Sequence, residues 1–270
     1  MRFRPALLPV LLIACASSTD ERTELILATT TSAYESGLLD TLIDQFRALT
    51  GIDVKPIAVG SGAALMMAQR GDADATLTHD PTAEARYVAA GHLVEGRRLM
   101  HNDFVLVGPA ADPAGVASNT DAVEAMRRVA TLGPFVSRGD GSGTESRELL
   151  LWQEAGVPVD SVKSRVETGQ GMSATLYVAN DQQAYTLVDR ATWLTLRNRV
   201  DLVPLLEDGA RLRNDYSVHL VNPELHPGTR VVPARRFLEF MVSPAAQQVI
   251  AEFGRERLGG QLFIPDALGE

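Results

Sequence analysis

The chain has 270 residues, of which 25 are Lys or Arg and 34 are Asp or Glu, so its formal net charge is -9. This acidic balance, without a stripe of basic residues, argues against a nucleic-acid-binding protein. The length is typical of a chain that folds into two compact lobes, although one large domain is also compatible with it. Anion binding stays possible, because helix N-termini and a single arginine supply a local positive field.

The first residues have the layout of a bacterial export signal. Arg2 and Arg4 precede an apolar run at residues 6–14, and a short basic segment followed by such a run is typical of exported proteins. The run is too short to span a bilayer. A buried N-terminal helix is the alternative, but two prolines in this segment would disrupt it. We therefore predict an export signal at residues 1–14.

Cys15 is the only cysteine of the chain and directly follows the predicted signal. Residues 12–15, Leu-Ile-Ala-Cys, resemble the lipobox of bacterial lipoproteins, which implies cleavage before Cys15 and lipidation of its thiol. Residues 15–23 then form the lipidated end and a polar tether to the folded body. Secretion without a lipid is the alternative.

Predicted strands and helices alternate along the rest of the chain. Apolar periodicity and turn residues place strands at residues 24–29, 52–59, 75–78, 104–108, up to 137, and 184–188. The same criteria place helices at residues 37–49, from 62 through 67, 82–90, 121–129, 145–155, from 173 onward, and in two pieces within 233–254. This order predicts an α/β fold with a mainly parallel sheet and helices on both faces.

Two extended runs, at residues 103–108 and 216–221, are candidates for crossings of the chain between the lobes. On that interpretation the first lobe comprises residues 24–102 plus 217–270, and the second comprises residues 103–216. We therefore expect two α/β lobes with a cleft between them.

Three loops rich in glycine and hydroxyl residues each lie between a predicted strand and a predicted helix. They are Thr29–Ser32, Gly60–Gly62 and Arg138–Thr144. In an open α/β sheet, ligands bind at the carboxyl ends of strands, where helix N-termini offer free backbone N–H groups. Three such loops together suit a compact oxyanion, and Arg138 adds a charged guanidinium. Alternatively, the hydroxyls only cap helices, the glycines only form turns, and Arg138 only pairs with Asp140.

The histidines and serines allow two other interpretations, neither of which the sequence favours. A serine hydrolase of the α/β class needs a Gly-x-Ser-x-Gly elbow, which the chain lacks. A metal site needs three or four convergent ligands, whereas His79 with Asp80 and His101 with Asp103 are only pairs. We therefore predict no catalysis, no cofactor and no metal centre.

Several stretches taken together resemble the periplasmic tungstate-binding proteins of tungstate ABC importers, which belong to the type II periplasmic solute-binding proteins. These stretches are residues 28–32, 78–81, 137–144 and 168–172, and residues 102–108 and 222–223 also fit. The run Thr29-Thr30-Thr31-Ser32 is the most specific of them. The resemblance covers nearly the whole chain after the predicted signal, in matching order.

The resemblance implies an oxyanion in the cleft between two lobes, held by hydroxyl groups, amides and one positive charge. The residues implied to bind it are Thr29, Thr30, Ser61, Arg138, Ser142, Gly143 and Thr144. Asp140, Asp80, Gly169 and Met172 are implied to lie nearby, as supporting residues or alternative acceptors. It also implies a monomer at the periplasmic or cell-surface side of the membrane that delivers its ligand to an ABC permease.

The residues leave the identity of the anion open. Tungstate, molybdate and sulfate carry no proton near neutral pH, whereas phosphate keeps one and gains from a carboxylate acceptor. Residues 138–144 also resemble the anion loop of phosphate-binding proteins, in which the aspartate takes part, so Asp140 and Asp80 are candidate acceptors. Residues 29–32 and 169–172 favour tungstate, for which Asp140 need only orient its neighbouring arginine. A further alternative is a sensor domain that reports oxyanion levels to a membrane receptor.

Overall fold

Strands and helices alternate along most of the chain, as the sequence predicts. The computed structural model describes residues 24–162, 164–207, 209, 211–258 and 260–267. The predicted export signal, Cys15 and the tether, at residues 1–23, lie outside this part of the chain. Among the described residues, no helix combines the length and the apolar character needed to cross a membrane.

Each strand and helix predicted from the sequence has a counterpart in the structure. The strands are β1 (Glu24–Thr30), β2 (Asp53–Val59), β3 (Ala75–Thr78), β4 (Leu93–Gly108), β5 (Phe135–Ser137), β6 (Arg165–Glu167), β7 (Thr186–Asp189), β8 (Val203–Leu206), β9 (Arg213–Val221) and β10 (Ile264–Pro265). The helices are α1 (Thr31–Glu35), α2 (Leu38–Thr50), α3 (Ser61–Arg70), α4 (Pro81–Ala89), α5 (Ala122–Leu132), α6 (Gly143–Glu154), α7 (Met172–Gln182), α8 (Arg190–Leu196), α9 (Val231–Met241), α10 (Pro244–Glu252) and α11 (Arg255–Leu258).

Helix boundaries follow capping residues that the sequence carries. α2 ends at Gly51, whose φ of 71° lies in the left-handed region that glycine adopts without strain. α10 begins after Ser243, whose hydroxyl accepts a hydrogen bond from the Ala246 amide, and Pro244 lies in its first turn. Both boundaries agree with the sequence prediction.

The first lobe is built around β1, whose side chains alternate between two apolar cores. Leu25 and Leu27 pack with α2, α9 and α10 in one core, whereas Ile26 and Ala28 pack with α3 in another. Successive side chains of a strand point to opposite faces. Helices therefore cover both faces of this part of the sheet, which also contains β2, β3, β9, β10 and the start of β4.

The second lobe is built around the end of β4 and repeats this arrangement. Phe104 and Leu106 pack with α5 and α6, whereas Val105 and Val107 pack with α7 and α8. Strands β7 and β8 pair with this end of β4, and β5 and β6 form a small sheet of their own beside it. Each lobe thus has its own apolar core on both sides of its strands.

Strands β4 and β9 connect the two lobes. β4 pairs with β9 as far as Asp103 and with β7 from Phe104 onward. The Phe104 amide donates a hydrogen bond to the Leu212 carbonyl, just before β9, at 2.6 Å. The two crossings of the chain therefore lie side by side, while the lobe boundaries at residues 102/103 and 216/217 stay a prediction.

The α/β class predicted from the sequence is confirmed, whereas antiparallel pairs outnumber the parallel pairs that were expected. Parallel pairing joins β1 to β2 and β3, and β5 to β6. The pairs β3–β9, β4–β9, β4–β7, β4–β8 and β4–β10 are antiparallel. The reason is that β4 leaves the first lobe and β9 returns to it, so the two strands lie side by side in opposite directions.

Candidate functional site

Helices α1, α3 and α6 begin at the three loops predicted to bind an anion. Thr30 caps α1 and Ser142 caps α6, because their hydroxyl oxygens accept hydrogen bonds from the Ala33 and Glu145 amides at 3.3 Å. Gly60 precedes α3 in an extended conformation and makes no side-chain cap. A capping hydroxyl uses its oxygen as an acceptor, so it still has a proton to donate. The capping role is therefore compatible with anion binding.

The three loops meet at the boundary between the lobes. The Gly62 amide at the start of α3 donates to the Gly141 carbonyl at 3.3 Å. Arg138 Nη2 donates to Thr31 Oγ1 at 3.5 Å. These contacts join the second loop to the third and the first loop to the third, so the structure brings together all three loops that the sequence singled out.

Each of the three loops carries one buried hydroxyl with no hydrogen-bond partner among the described residues. These hydroxyls belong to Thr29, Ser61 and Thr144, which are 0%, 0% and 2% exposed. A buried polar group left unpaired costs about 1–3 kcal/mol, so three of them on adjoining loops call for a common partner. An oxyanion is such a partner, because its oxygens accept a hydrogen bond from each hydroxyl.

Arg138 places a positive charge inside the protein, where it is 2% exposed. Asp140 Oδ2 accepts hydrogen bonds from Arg138 Nε at 3.1 Å and from Nη2 at 2.5 Å. Asp140 Oδ1 accepts from the Ser142 amide at 3.2 Å. Both carboxylate oxygens are thus engaged within their own loop, and Asp140 orients the guanidinium.

Asp80, the other predicted acceptor, is engaged in the same way. Its Oδ1 accepts from the Ala83 amide at 2.9 Å, which caps α4. Its Oδ2 accepts from the Ser146 hydroxyl at 2.6 Å. Asp80 also lines a cavity of about 270 Å³ between α4 and α6, together with His79 and Arg147. The carboxylate therefore lies beside the three loops and bridges the two lobes.

The remaining predicted residues lie on the loop before α7. The Gly169 amide donates to the Arg138 carbonyl at 2.7 Å, and Gly169 has a left-handed φ of 65°. This loop therefore supports the backbone of the arginine. Met172 is 1% exposed and packs with Val105 and Leu176, so its side chain belongs to the core of the second lobe.

Two residues at the site, His79 and Thr31, were not predicted from the sequence to have a role in anion binding. His79 Nδ1 is 2.8 Å from Asn214 Oδ1, and its Nε2 is 3.2 Å from Ser32 Oγ. Burial lowers the pKa of His79, so the imidazole is neutral at neutral pH and adds no positive charge. Thr31 contacts Arg138. It belongs to the run of hydroxyl residues from which the first loop was predicted, and this run is the sequence feature that could have identified it.

Among the described residues, one group of side chains resembles a metal site, and it lies outside the three loops. Ligand atoms of His101, Asp215 and Asp266 lie within 4.8 Å of one another. Arg213 donates hydrogen bonds to both of these aspartates, so the group is accounted for as an ion-pair cluster. Asp103, which the sequence paired with His101, instead pairs with an arginine of α8 at 3.4 Å.

Comparison with known proteins gives similarity over nearly the whole chain. Residues 16–245 match the model of the PBP superfamily domain. Tungstate-binding protein TupA of Peptoclostridium acidaminophilum is 41% identical over 252 residues, which cover 92% of this chain and 88% of that protein. The solved tungstate-binding protein TupA of Desulfovibrio alaskensis G20 is 41% identical, covers 91% of this chain and 99% of its own, and gives a TM-score of 0.78. A structure of the tungstate ABC transporter from Geobacter sulfurreducens is 38% identical, covers 85% and 98%, and gives a TM-score of 0.77.

Proposed function

Because the chain belongs to the PBP superfamily, we propose that it binds a tetrahedral oxyanion between its two lobes, tungstate above all, and delivers it to an ABC importer. The observation that carries the proposal is the set of buried, unpaired hydroxyls of Thr29, Ser61 and Thr144 on the loops that adjoin Arg138. They can donate three hydrogen bonds to a ligand, and the arginine offers a full positive charge.

The names of the relatives indicate which oxyanion this is. The relative from Peptoclostridium acidaminophilum and the structures from Desulfovibrio alaskensis and Geobacter sulfurreducens all carry tungstate in their names. The resemblance that the sequence motifs suggested is therefore confirmed. Tungstate is the ligand we transfer to this chain, and molybdate, with the same charge and shape, is expected to compete for the site.

Phosphate fits the site less well. Phosphate keeps a proton near neutral pH and binds best where a carboxylate accepts a hydrogen bond from its protonated oxygen. Asp140 and Asp80 are the two candidate acceptors, and both oxygens of each carboxylate already accept hydrogen bonds from the protein. A protonated anion would have to share an oxygen that already accepts a hydrogen bond from the protein, whereas an unprotonated anion needs only donors.

The protein acts as a carrier and catalyses no reaction on this proposal. It works outside the cytoplasm as a single subunit, with a lipid at Cys15 holding it to the membrane and the permease of the importer as its partner. The predicted export signal and the lipobox-like residues before Cys15 support this placement. In cells, the wild-type protein should sediment with membranes, and a Cys15→Ser variant should be released; equal partition of both would contradict the lipid anchor.

Isothermal titration calorimetry tests the proposed ligand. The purified protein is titrated with tungstate, molybdate, sulfate and phosphate at one pH and one salt concentration. We expect one tungstate to bind per chain, with molybdate next and phosphate far weaker. Tight phosphate binding without tungstate binding would reverse the anion assignment.

Isosteric variants test the site itself. Thr29→Val and Thr144→Val remove one free hydroxyl each while keeping the side-chain volume, and each should weaken tungstate binding by about tenfold to a hundredfold, the range expected for one hydrogen bond to a charged group. Thr76→Val is the matched control, because the Thr76 hydroxyl is also buried without a hydrogen-bond partner among the described residues but lies in the middle of β3, whereas Thr29 lies at the carboxyl end of β1. Equal loss of affinity in all three variants would contradict the location of the site.

A further inference from the structure

The start of α6 is held against the end of β3 in the other lobe by a hydrogen bond outside the three loops. Ser146, in the first turn of α6, donates its hydroxyl to Asp80 Oδ2 at 2.6 Å. Asp80 is 8% exposed, so this bond is largely shielded from water. Because the acceptor is an ionised carboxylate, the bond is stronger than one between neutral groups.

A close backbone contact adjoins this hydrogen bond. A Cβ at Gly143 would lie 2.7 Å from the His79 ring and 2.8 Å from the His79 carbonyl oxygen. Only glycine permits this approach, so the first residue of α6 packs directly on His79. The ring itself is fixed by hydrogen bonds to Asn214 and Ser32. His79 and Asp80 thus form a docking surface for the start of α6.

We propose that Asp80 and Ser146 are positioning residues that latch the two lobes around the bound oxyanion, without contacting the anion themselves; this inference rests on the proposed function. Thr144 lies on the same helical turn as Ser146 and carries one of the free hydroxyls. Fixing Ser146 on the first lobe therefore fixes the Thr144 hydroxyl relative to Thr29 and Ser61. In this role the Asp80 carboxylate holds the two lobes together. This role differs from the one considered from the sequence, in which Asp80 accepts a hydrogen bond from the anion.

The latch has a specific kinetic consequence. A contact between lobes forms only after the lobes meet, so its loss accelerates opening and ligand release while leaving capture by the open form unchanged. Another hydrogen bond between the lobes, from the Ser173 hydroxyl to Glu35 Oε2 at 3.1 Å, is exposed to solvent. Water screens such a bond, so Ser173→Ala should have a smaller effect than Ser146→Ala.

Stopped-flow and calorimetric measurements of tungstate binding test the latch in the wild type, Ser173→Ala and three further variants. Ser146→Ala should raise both the Kd and the dissociation rate constant by about tenfold, with an unchanged association rate constant. Ser146→Thr retains the hydroxyl and should restore slow release. Ser161→Ala is the matched control, because the Ser161 hydroxyl donates only to the Pro158 carbonyl of its own turn. The melting temperature of the ligand-free Ser146→Ala protein should equal that of the wild type.

A second measurement reports lobe closure independently of affinity. Spin labels on Gln45→Cys in α2 and Asp181→Cys in α7, both exposed and one in each lobe, give the distance between the lobes in a Cys15→Ser background. Ser146→Ala should shift this distance towards longer values, both with tungstate and in any condition where the wild type is closed. If the wild type bound tungstate but Ser146→Ala had the same dissociation rate and distances, the latch would be wrong while the proposed function stood. If the wild type bound none of the four anions, the proposed function would fail, and unchanged label distances would then also overturn the latch.

Discussion

Replacing Arg138 by alanine should weaken tungstate binding far more than removal of any hydroxyl. Arg138 is 2% exposed and is the partner of Asp140, whose side chain is 16% exposed. Its removal deletes a charged donor, worth about 1.5–3 kcal/mol. It also leaves the Asp140 carboxylate without its cation near the anion, which adds like-charge repulsion.

The two contributions can be separated with a second substitution. With the lost donor and this repulsion combined, Arg138→Ala should raise the Kd by about a hundredfold or more, since each 1.4 kcal/mol is a factor of ten. In Arg138→Ala/Asp140→Asn the unpaired negative charge is gone, so only the lost donor remains. The double variant should therefore bind about tenfold to a hundredfold more weakly than the wild type, which is tighter than the single variant.

Calorimetry at fixed pH and ionic strength measures both variants, and circular dichroism of the ligand-free proteins checks that each is folded. Wild-type affinity in Arg138→Ala would remove the arginine from the site. Equal affinity of the single and double variants would show that Asp140 exerts no repulsion on the anion.

Two further predictions concern stability away from the site. Burial lowers the pKa of His219 to about 4, so between pH 6.5, near its usual pKa, and about pH 4 the unfolded chain binds a proton that the folded chain does not. As the pH falls through this range, the wild type should lose up to about 3 kcal/mol of unfolding free energy relative to His219→Gln. Urea unfolding at several pH values measures this difference. Parallel loss in both proteins would contradict this. Glu148 accepts hydrogen bonds from Trp152 Nε1 at 3.0 Å and Arg165 Nε at 2.7 Å, so Glu148→Ala should lower the unfolding free energy by about 3–5 kcal/mol. Glu167 is exposed and also pairs with Arg165, so Glu167→Ala should lower it by less than about 1 kcal/mol. Equal losses would refute the importance of burial.

The elements that sequence periodicity identified are those whose burial follows a simple repeat. β1 is buried along most of its length and α2 has one apolar face, so both were predicted within about one residue of their ends. Only residues 104–108 of β4 were predicted, because the four residues from Glu95 to Arg98 are exposed and break the apolar pattern. The five-residue α1 was missed since it is too short to show a helical repeat.

The site was predictable as a set of loops and much less so as a set of contacts. Position after a strand and before a helix identified the three loops, because that rule depends only on element order. Which hydroxyl is free depends on caps: Thr30 caps α1, whereas its neighbour Thr29 has no partner among the described residues. Contacts between residues distant in the chain, such as Arg138 with Thr31 and Ser146 with Asp80, leave no local signal.

The two aspartates explain why the motif alone left the anion undecided. An aspartate in the Arg138–Thr144 loop serves a phosphate site as a hydrogen-bond acceptor, whereas a tungstate site needs it only to orient the arginine. Here Asp140 accepts three hydrogen bonds from its own loop, and Asp80 accepts two from helices of different lobes. A protonated anion would have to share one of the oxygens that these bonds already occupy. Discrimination against phosphate then arises from hydrogen bonds within the protein, and loosening them by substitution at Ser146 should reduce the preference for tungstate over phosphate as well as the affinity.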